Sequence, residues 1–213
     1  FKAVKMRVGA GDGTLAHSVA RVRAAREGLA DDIEIMCDAH GTFSVAEAKR
    51  FCREVAECNI GWLEEPVVAD DKRGMAEVRA STDIPISTGE SEFTRFAFRD
   101  LAELRACDIF QPDLSICGGV TEAMRIEAIA SAYQLRYAPH LWGGALTFAS
   151  GLHTMVVAST GFIVEYSLGA NPMLHELAVE DFTIVDGDLE IPDRPGLGVT
   201  VDEDFVEKYR VKN

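Results

Sequence analysis

The sequence predicts an α/β fold, a barrel of strand–helix units around a parallel sheet. Three observations lead there. Short apolar stretches alternate with helix-patterned ones along most of the chain. Each apolar stretch ends in a functional group: Lys5 with Arg7, then Asp38, Glu64, Glu90, Asp113, His140 and Glu165. From Asp38 onward these groups recur every 23 to 27 residues. Strands alternating with helices imply a parallel sheet, and barrel active sites form at the carboxyl ends of strands. An open doubly wound sheet is the runner-up, but it needs only one or two strand ends to carry chemistry.

Residues 2–8 alternate Lys2, Val4, Met6 and Val8 against Ala3, Lys5 and Arg7, the period of a strand. Leu15, Val19, Val22, Ala25 and Leu29 form a helical stripe over 15–29. Residues 33–38 are the next strand, followed by Ala39-His40-Gly41. Ser44 and Glu47 make a capping box for a helix running to about Cys58. Strands follow at 60–66, 84–90, 108–113, 135–140 and 162–166, with helices near 72–80, 94–105, 118–133 and 143–158. That order assigns residues 1–168 to the barrel. Residues 169–213 form a C-terminal segment leaving it, with weak alternation over 177–191, a turn-rich 192–199 and a short helix over 202–209. Phe1 drops straight into a strand with no Met before it, so an upstream part, including one more strand to close an eight-stranded barrel, is expected.

Composition narrows the function. A net charge of −14 argues against a nucleic-acid or anionic-membrane surface and suits an acidic, cation-binding interior. No apolar run approaches a membrane span, and no signal peptide is visible. The 5 cysteines lack a CxxC and read as reduced thiols of a cytoplasmic protein. GxGxxG after a strand, GxxxxGK[ST], GxSxG and HExxH are all missing.

The strand ends carry the chemistry. Asp38, Glu64 and Glu90 at three successive ends would repel one another without a cation, and oxygen-only ligation suits Mg²⁺. Glu65 is expected to orient Lys5 or Lys72 or to face water, and is not counted as a ligand. Asp113 and His140 end adjacent strands, so the carboxylate can hold one imidazole nitrogen and raise its basicity. Lys5 and Arg7 can bind a substrate carboxylate; a guanidinium stays charged and is a poor base. His40 is either an additional acid near the metal or an ordinary rim histidine. His17, His153 and His175 lie on helices or loops without evident partners.

These residues together resemble the enolase superfamily, and within it the mandelate racemase/muconate lactonizing enzyme-like group. The carriers are Lys5-Met6-Arg7, Asp38, Glu64-Glu65-Pro66, Gly89-Glu90, Gln111-Pro112-Asp113 with Gly118-Gly119, Pro139-His140, Glu165-Tyr166 and Pro195-Gly196-Leu197-Gly198. The resemblance implies a modified TIM barrel, (β/α)7β, here lacking the first strand and most of an α+β capping domain. It implies Mg²⁺ on Asp38, Glu64 and Glu90, α-proton abstraction from a carboxylate, and an enediolate intermediate. Two departures from the group pattern, Arg7 for a second lysine and His40 for an asparagine, point to dehydration. The expected protein is a Mg²⁺-dependent sugar-acid dehydratase acting on an aldonate or aldarate. His140 with Asp113 is its base, His40 or His140 protonates the leaving hydroxyl, and Lys5, Arg7 and Glu165 stabilise substrate charge. A homo-oligomer without nucleic-acid or membrane partners is expected. A racemase, epimerase or lactone cycloisomerase, and a non-catalytic paralogue or fragment, are the alternatives.

Overall fold

Parallel strands need crossovers, and the helical stretches of this chain supply them. In the computed structural model, which describes residues 1–211, six strands lie side by side in chain order: β1 (Ala3–Arg7), β2 (Glu34–Asp38), β3 (Ile60–Glu64), β4 (Ile86–Thr88), β5 (Ile109–Phe110) and β6 (Arg136–Tyr137). Every neighbouring pair is parallel. The register sets Arg7 beside Asp38, Asp38 beside Glu64 and Glu64 beside Ser87, so the functional ends lie level. Residues 212 and 213, the end of the expected 169–213 segment, lie outside the described residues.

The helices are α1 (Leu15–Gly28), α2 (Val45–Glu54), α3 (Lys72–Arg79), α4 (Thr94–Glu103), α5 (Leu114–Cys117), α6 (Gly119–Ala132) and α7 (Ala145–Val157). The Ser44–Glu47 capping box forms as expected. α2 stops at Glu54, short of Cys58. A tight turn over Ala56–Cys58 and left-handed Asn59 (φ 51°) reverse the chain into β3 instead. The four-residue α5 was not expected; Asp113 caps it and left-handed Gly118 ends it.

Alternation along the strands splits the core into two shells. Leu63, Ile86 and Phe110 join Phe98 and the helix faces outside the sheet. Met36, Trp62, Ile109 and Ala138 fill the inside, with Ala3, Phe162 and Ile163 packed against them. All five cysteines are buried and free. Burial, with Cys58 and Cys52 nearby, pushes the Cys37 thiol up to about 12, far from a reactive thiolate.

One expected strand differs. Among the described residues, 162–166 run past β6 without a ladder, and the only bridge there joins Tyr137 and Gly161. β6 is two residues long and runs into Pro139, which has no N–H for a ladder. The ring is instead drawn together by side chains. Lys5 reaches Glu165 at 2.9 Å, and Ala3, Phe162 and Ile163 share the inner cluster. Glu127 pins the start of this segment by accepting from Ser159 N (2.9 Å), Ser159 Oγ (2.8 Å) and Thr160 N (3.3 Å).

The tail contains α8 (Pro172–His175), the hairpin β7 (Ile184–Val185) and β8 (Asp188–Leu189), and α9 (Glu203–Tyr209). Asp186 and Gly187 both take positive φ, the requirement of a two-residue hairpin turn. Phe148 of α7 meets Tyr166 and Phe182 edge-on, at 5.3 and 4.6 Å between centroids, which docks the tail on the barrel. Among the described residues no helix is long and apolar enough to cross a membrane.

Candidate active site

The predicted residues converge at the carboxyl ends of the strands. Lys5, inside β1, places Nζ 2.8 Å from both oxygens of Glu64 and 2.9 Å from Glu165 Oε1. Arg7, two residues on, pairs with Asp38 at 3.2 Å. Asp38 also accepts from the backbone N–H of His40 at 2.8 Å. Glu64 receives Trp62 Nε1 at 3.1 Å and Gln111 Nε2 at 3.0 Å. Glu90 stands between two imidazoles: His40 Nδ1 is 3.2 Å from Oε1 and His140 Nε2 is 3.5 Å from Oε2. Gly89 allows the chain to bring Glu90 there. Its φ is +137°, and a Cβ would lie 2.6 Å from the Phe98 ring.

The electrostatics mark a site short of positive charge. Burial, then Glu64, raises the proton affinity of Asp38 against Lys5 and Arg7. Burial likewise raises Glu90, with His140 opposing and Glu64 and Asp38 adding to the rise. Burial and Glu90 push Glu65 up to about 7. Glu64 is the exception: burial works against its charge, yet Lys5, Gln111 and Trp62 hold it below the ordinary value. Carboxylates that raise one another on adjacent strand ends, offering only hard oxygen donors, fit a divalent cation such as Mg²⁺.

His140 and Asp113 form the expected dyad, with Nδ1 2.9 Å from Oδ2. Ser115 holds the other carboxylate oxygen through its N–H (2.7 Å) and its hydroxyl. Burial opposes both charges. Bonds from His140 and Ser115 nonetheless keep Asp113 below 3.8, and Asp113, Glu90 and Glu165 keep His140 above 6.5. The stabilisation from Asp113 is therefore present above 3.8 and lost as pH falls through its lower folded value. That from His140 is full below 6.5 and lost as pH rises through its higher folded value. The difference in Tm between the protein and its Asp113→Asn variant should be largest between these two values and shrink on the alkaline side. A difference that stays the same as pH rises past the raised value of His140 would show that the pair is not ionised.

Two expectations change. Glu65 neither orients Lys5 or Lys72 nor faces water. Lys5 is taken by Glu64 and Glu165, Lys72 pairs with Glu92, and Glu65 is buried beside Thr88, whose hydroxyl lies 3.2 Å from Oε1. A left-handed backbone (φ 38°) turns the side chain inward. Among the described residues, the three potential ligands whose atoms all lie within 4.8 Å of one another are His40, Glu65 and Glu90. His153 and His175 do have partners, at 3.2 Å on the carbonyls of Leu197 and Gly169, which are tail contacts. Lys5 and Glu165, both expected at the substrate carboxylate, are 2.9 Å apart. Trp62 and Gln111 went unnoticed as donors to Glu64; the period-two spacing of Trp62 and Glu64 was the available signal.

A model of the family described as "Enolase C-terminal domain-like" matches residues 1–205. D-galactonate dehydratase of Xanthomonas oryzae pv. oryzae (strain PXO99A) is 34% identical over 197 residues, covering 90% of this chain and 52% of the relative. D-galactarolactone cycloisomerase of Agrobacterium fabrum is 32% identical, covering 99% of this chain and 57% of the relative. The crystal structure of 3,6-anhydro-D-galactonate cycloisomerase from Zobellia galactanivorans superposes with a TM-score of 0.94 at 32% identity, over all of this chain and 59% of that one. The chain thus spans little more than half the length of the relatives it matches.

Proposed function

The chain belongs to the enolase C-terminal domain-like family, and we propose that it carries the catalytic groups of a Mg²⁺-dependent dehydratase acting on a sugar acid, an aldonate or aldarate. The observation that carries this reading is the pair of imidazoles on opposite oxygens of Glu90, one backed by Asp113 and one on the exposed rim. β-Elimination needs a base for the α-proton and an acid for the departing hydroxyl. The arginine at position 7 is paired with Asp38 and cannot serve as a second base, which disfavours two-base racemisation.

Asp38, Glu64 and Glu90 would hold Mg²⁺, which when bound supplies positive charge where negative charge develops on the substrate carboxylate. In its neutral form His140 donates its Nδ1–H to Asp113, so that Nε2, which lies 3.5 Å from Glu90 Oε2, is the nitrogen that takes the α-proton. Asp113 then stabilises the imidazolium. His40 gives a proton to the β-hydroxyl as its C–O bond breaks, so water leaves and the remaining enol becomes a 2-keto-3-deoxy acid. Lys5, Arg7 and Glu165 set the charge balance around the substrate carboxylate.

The test is to incubate the full product of the gene with Mg²⁺ and a panel of aldonates and aldarates, trapping 2-keto acid as its semicarbazone. Semicarbazone formation with at least one acid is the expected result. A product isomeric with its substrate and no keto acid would replace dehydration with cycloisomerisation, the activity named for two of the relatives. Cation binding without turnover of any acid would favour a non-catalytic paralogue.

A further inference from the structure

We propose that Trp62 and Gln111 are positioning residues that fix how Glu64 presents its carboxylate. The inference rests on Glu64 being a cation ligand.

The donors around Glu64 are unevenly shared. Oε2 faces three of them: Trp62 Nε1 at 3.1 Å, Gln111 Nε2 at 3.0 Å and Lys5 Nζ at 2.8 Å. Among the described residues Oε1 faces Lys5 alone, at 2.8 Å. A carboxylate oxygen has two lone-pair directions. Oε2 is therefore saturated, and Oε1 keeps capacity for a further partner.

The two neutral donors cannot follow the carboxylate if it turns. Trp62 shares the inner face of β3 with Glu64, two residues away. Its ring is 4% exposed, wedged among Met36, Ile109 and Ala138, with Phe162 edge-on at 6.0 Å and 85°. Indole nitrogen is a donor only, so its N–H can serve nothing but an acceptor on that face. Gln111 is as deeply buried, and its Oε1 has no hydrogen-bond partner among the described residues. Turning the amide over would set that oxygen against Glu64 Oε2. The amide is thus held by Glu64 alone, and a buried acceptor is left bare to keep the N–H on the carboxylate.

Lys5 is the exchangeable member of the set. It already shares Glu165, whose Oε2 is buried and has no partner among the described residues. Lys5 can therefore release Glu64 without losing its counter-charge, while Trp62 and Gln111 hold Oε2 where it is.

The test uses Mn²⁺ as the probe, with its affinity measured by electron paramagnetic resonance on the full gene product. Thermal melting of the metal-free protein is followed in parallel. Trp62→Phe keeps the packed ring and removes the N–H; Gln111→Met keeps the volume and removes the amide; Glu64→Gln is the control. Each of the first two should weaken Mn²⁺ binding by roughly tenfold or more, and the double variant further, whatever modest fall the loss of a bond to Glu64 brings to the metal-free melting temperature. A purely structural role would lower the melting temperature and leave affinity alone, and that result overturns the proposal. Wild-type affinity in both variants while Glu64→Gln loses Mn²⁺ also overturns it, leaving Glu64 as a ligand. No Mn²⁺ binding by the wild type, or none lost in Glu64→Gln, removes the ligand reading and the proposal with it. Should Trp62→Phe fold poorly, Gln111→Met decides alone.

Discussion

Replacing His140 with Asn should lower exchange of the substrate α-proton with D₂O by roughly 10²- to 10⁴-fold. Asparagine can still bond to Asp113, so the cleft keeps its shape, but a carboxamide takes no proton at neutral pH. The His140 Nδ1 to Asp113 contact of 2.9 Å fixes which nitrogen is occupied and leaves Nε2 for the substrate. Asp113 contributes by position and by charge, since it keeps the imidazole above its ordinary value despite burial. Proton exchange followed by NMR separates this step from later loss of the hydroxyl. His40→Asn should retain exchange while losing product, because that residue serves the leaving group. Exchange at the wild-type rate in His140→Asn would sink the assignment of the base.

The second large effect is on stability. Lys5→Met should destabilise the metal-free protein by about 3–5 kcal/mol, the usual loss when one member of a buried charge set is removed. Lys5 is the cation shared by Glu64 and Glu165, and Glu64 is only 1% exposed. Burial alone would lower the proton affinity of Lys5, and the two carboxylates reverse that. Without the ammonium, Glu64 keeps only the neutral donors Trp62 and Gln111. Urea denaturation in EDTA measures the loss. Added Mg²⁺ should recover part of it, and more than it adds to the wild type, because a bound cation would take over the neutralisation. A loss under about 1 kcal/mol would show that Glu64 takes up a proton or turns to solvent instead.

Much of this was legible because the fold writes itself at regular intervals. One functional group per strand end, at near-constant spacing, gave the parallel order of β1 to β6 and the residues on their rims. The dyad followed from adjacency, since Asp113 and His140 end neighbouring strands and join by a bridge. What escaped depends on backbone conformation or on few residues. Glu65 follows Glu64 immediately, and only its left-handed φ turns both carboxylates inward. His40 reaches Glu90 by the same device, with φ 47°. α5 is too short to show a helical period, and residues 162–166 are apolar like a strand yet follow a β6 curtailed before Pro139. Gln111 is a neutral residue before a proline, and nothing local marks it as a partner of a residue 47 positions away.

The seam between β1 and the extended 162–166 segment is made by side chains. Among the described residues β1 pairs only with β2, while Lys5 meets Glu165 at 2.9 Å and Ala3 shares its cluster with Phe162 and Ile163. A ladder of backbone bonds survives most substitutions, whereas a seam of side chains depends on which residues stand there. The ion pair that sets the charge at the cleft is thus also a fastening between two strand-like stretches far apart in the chain.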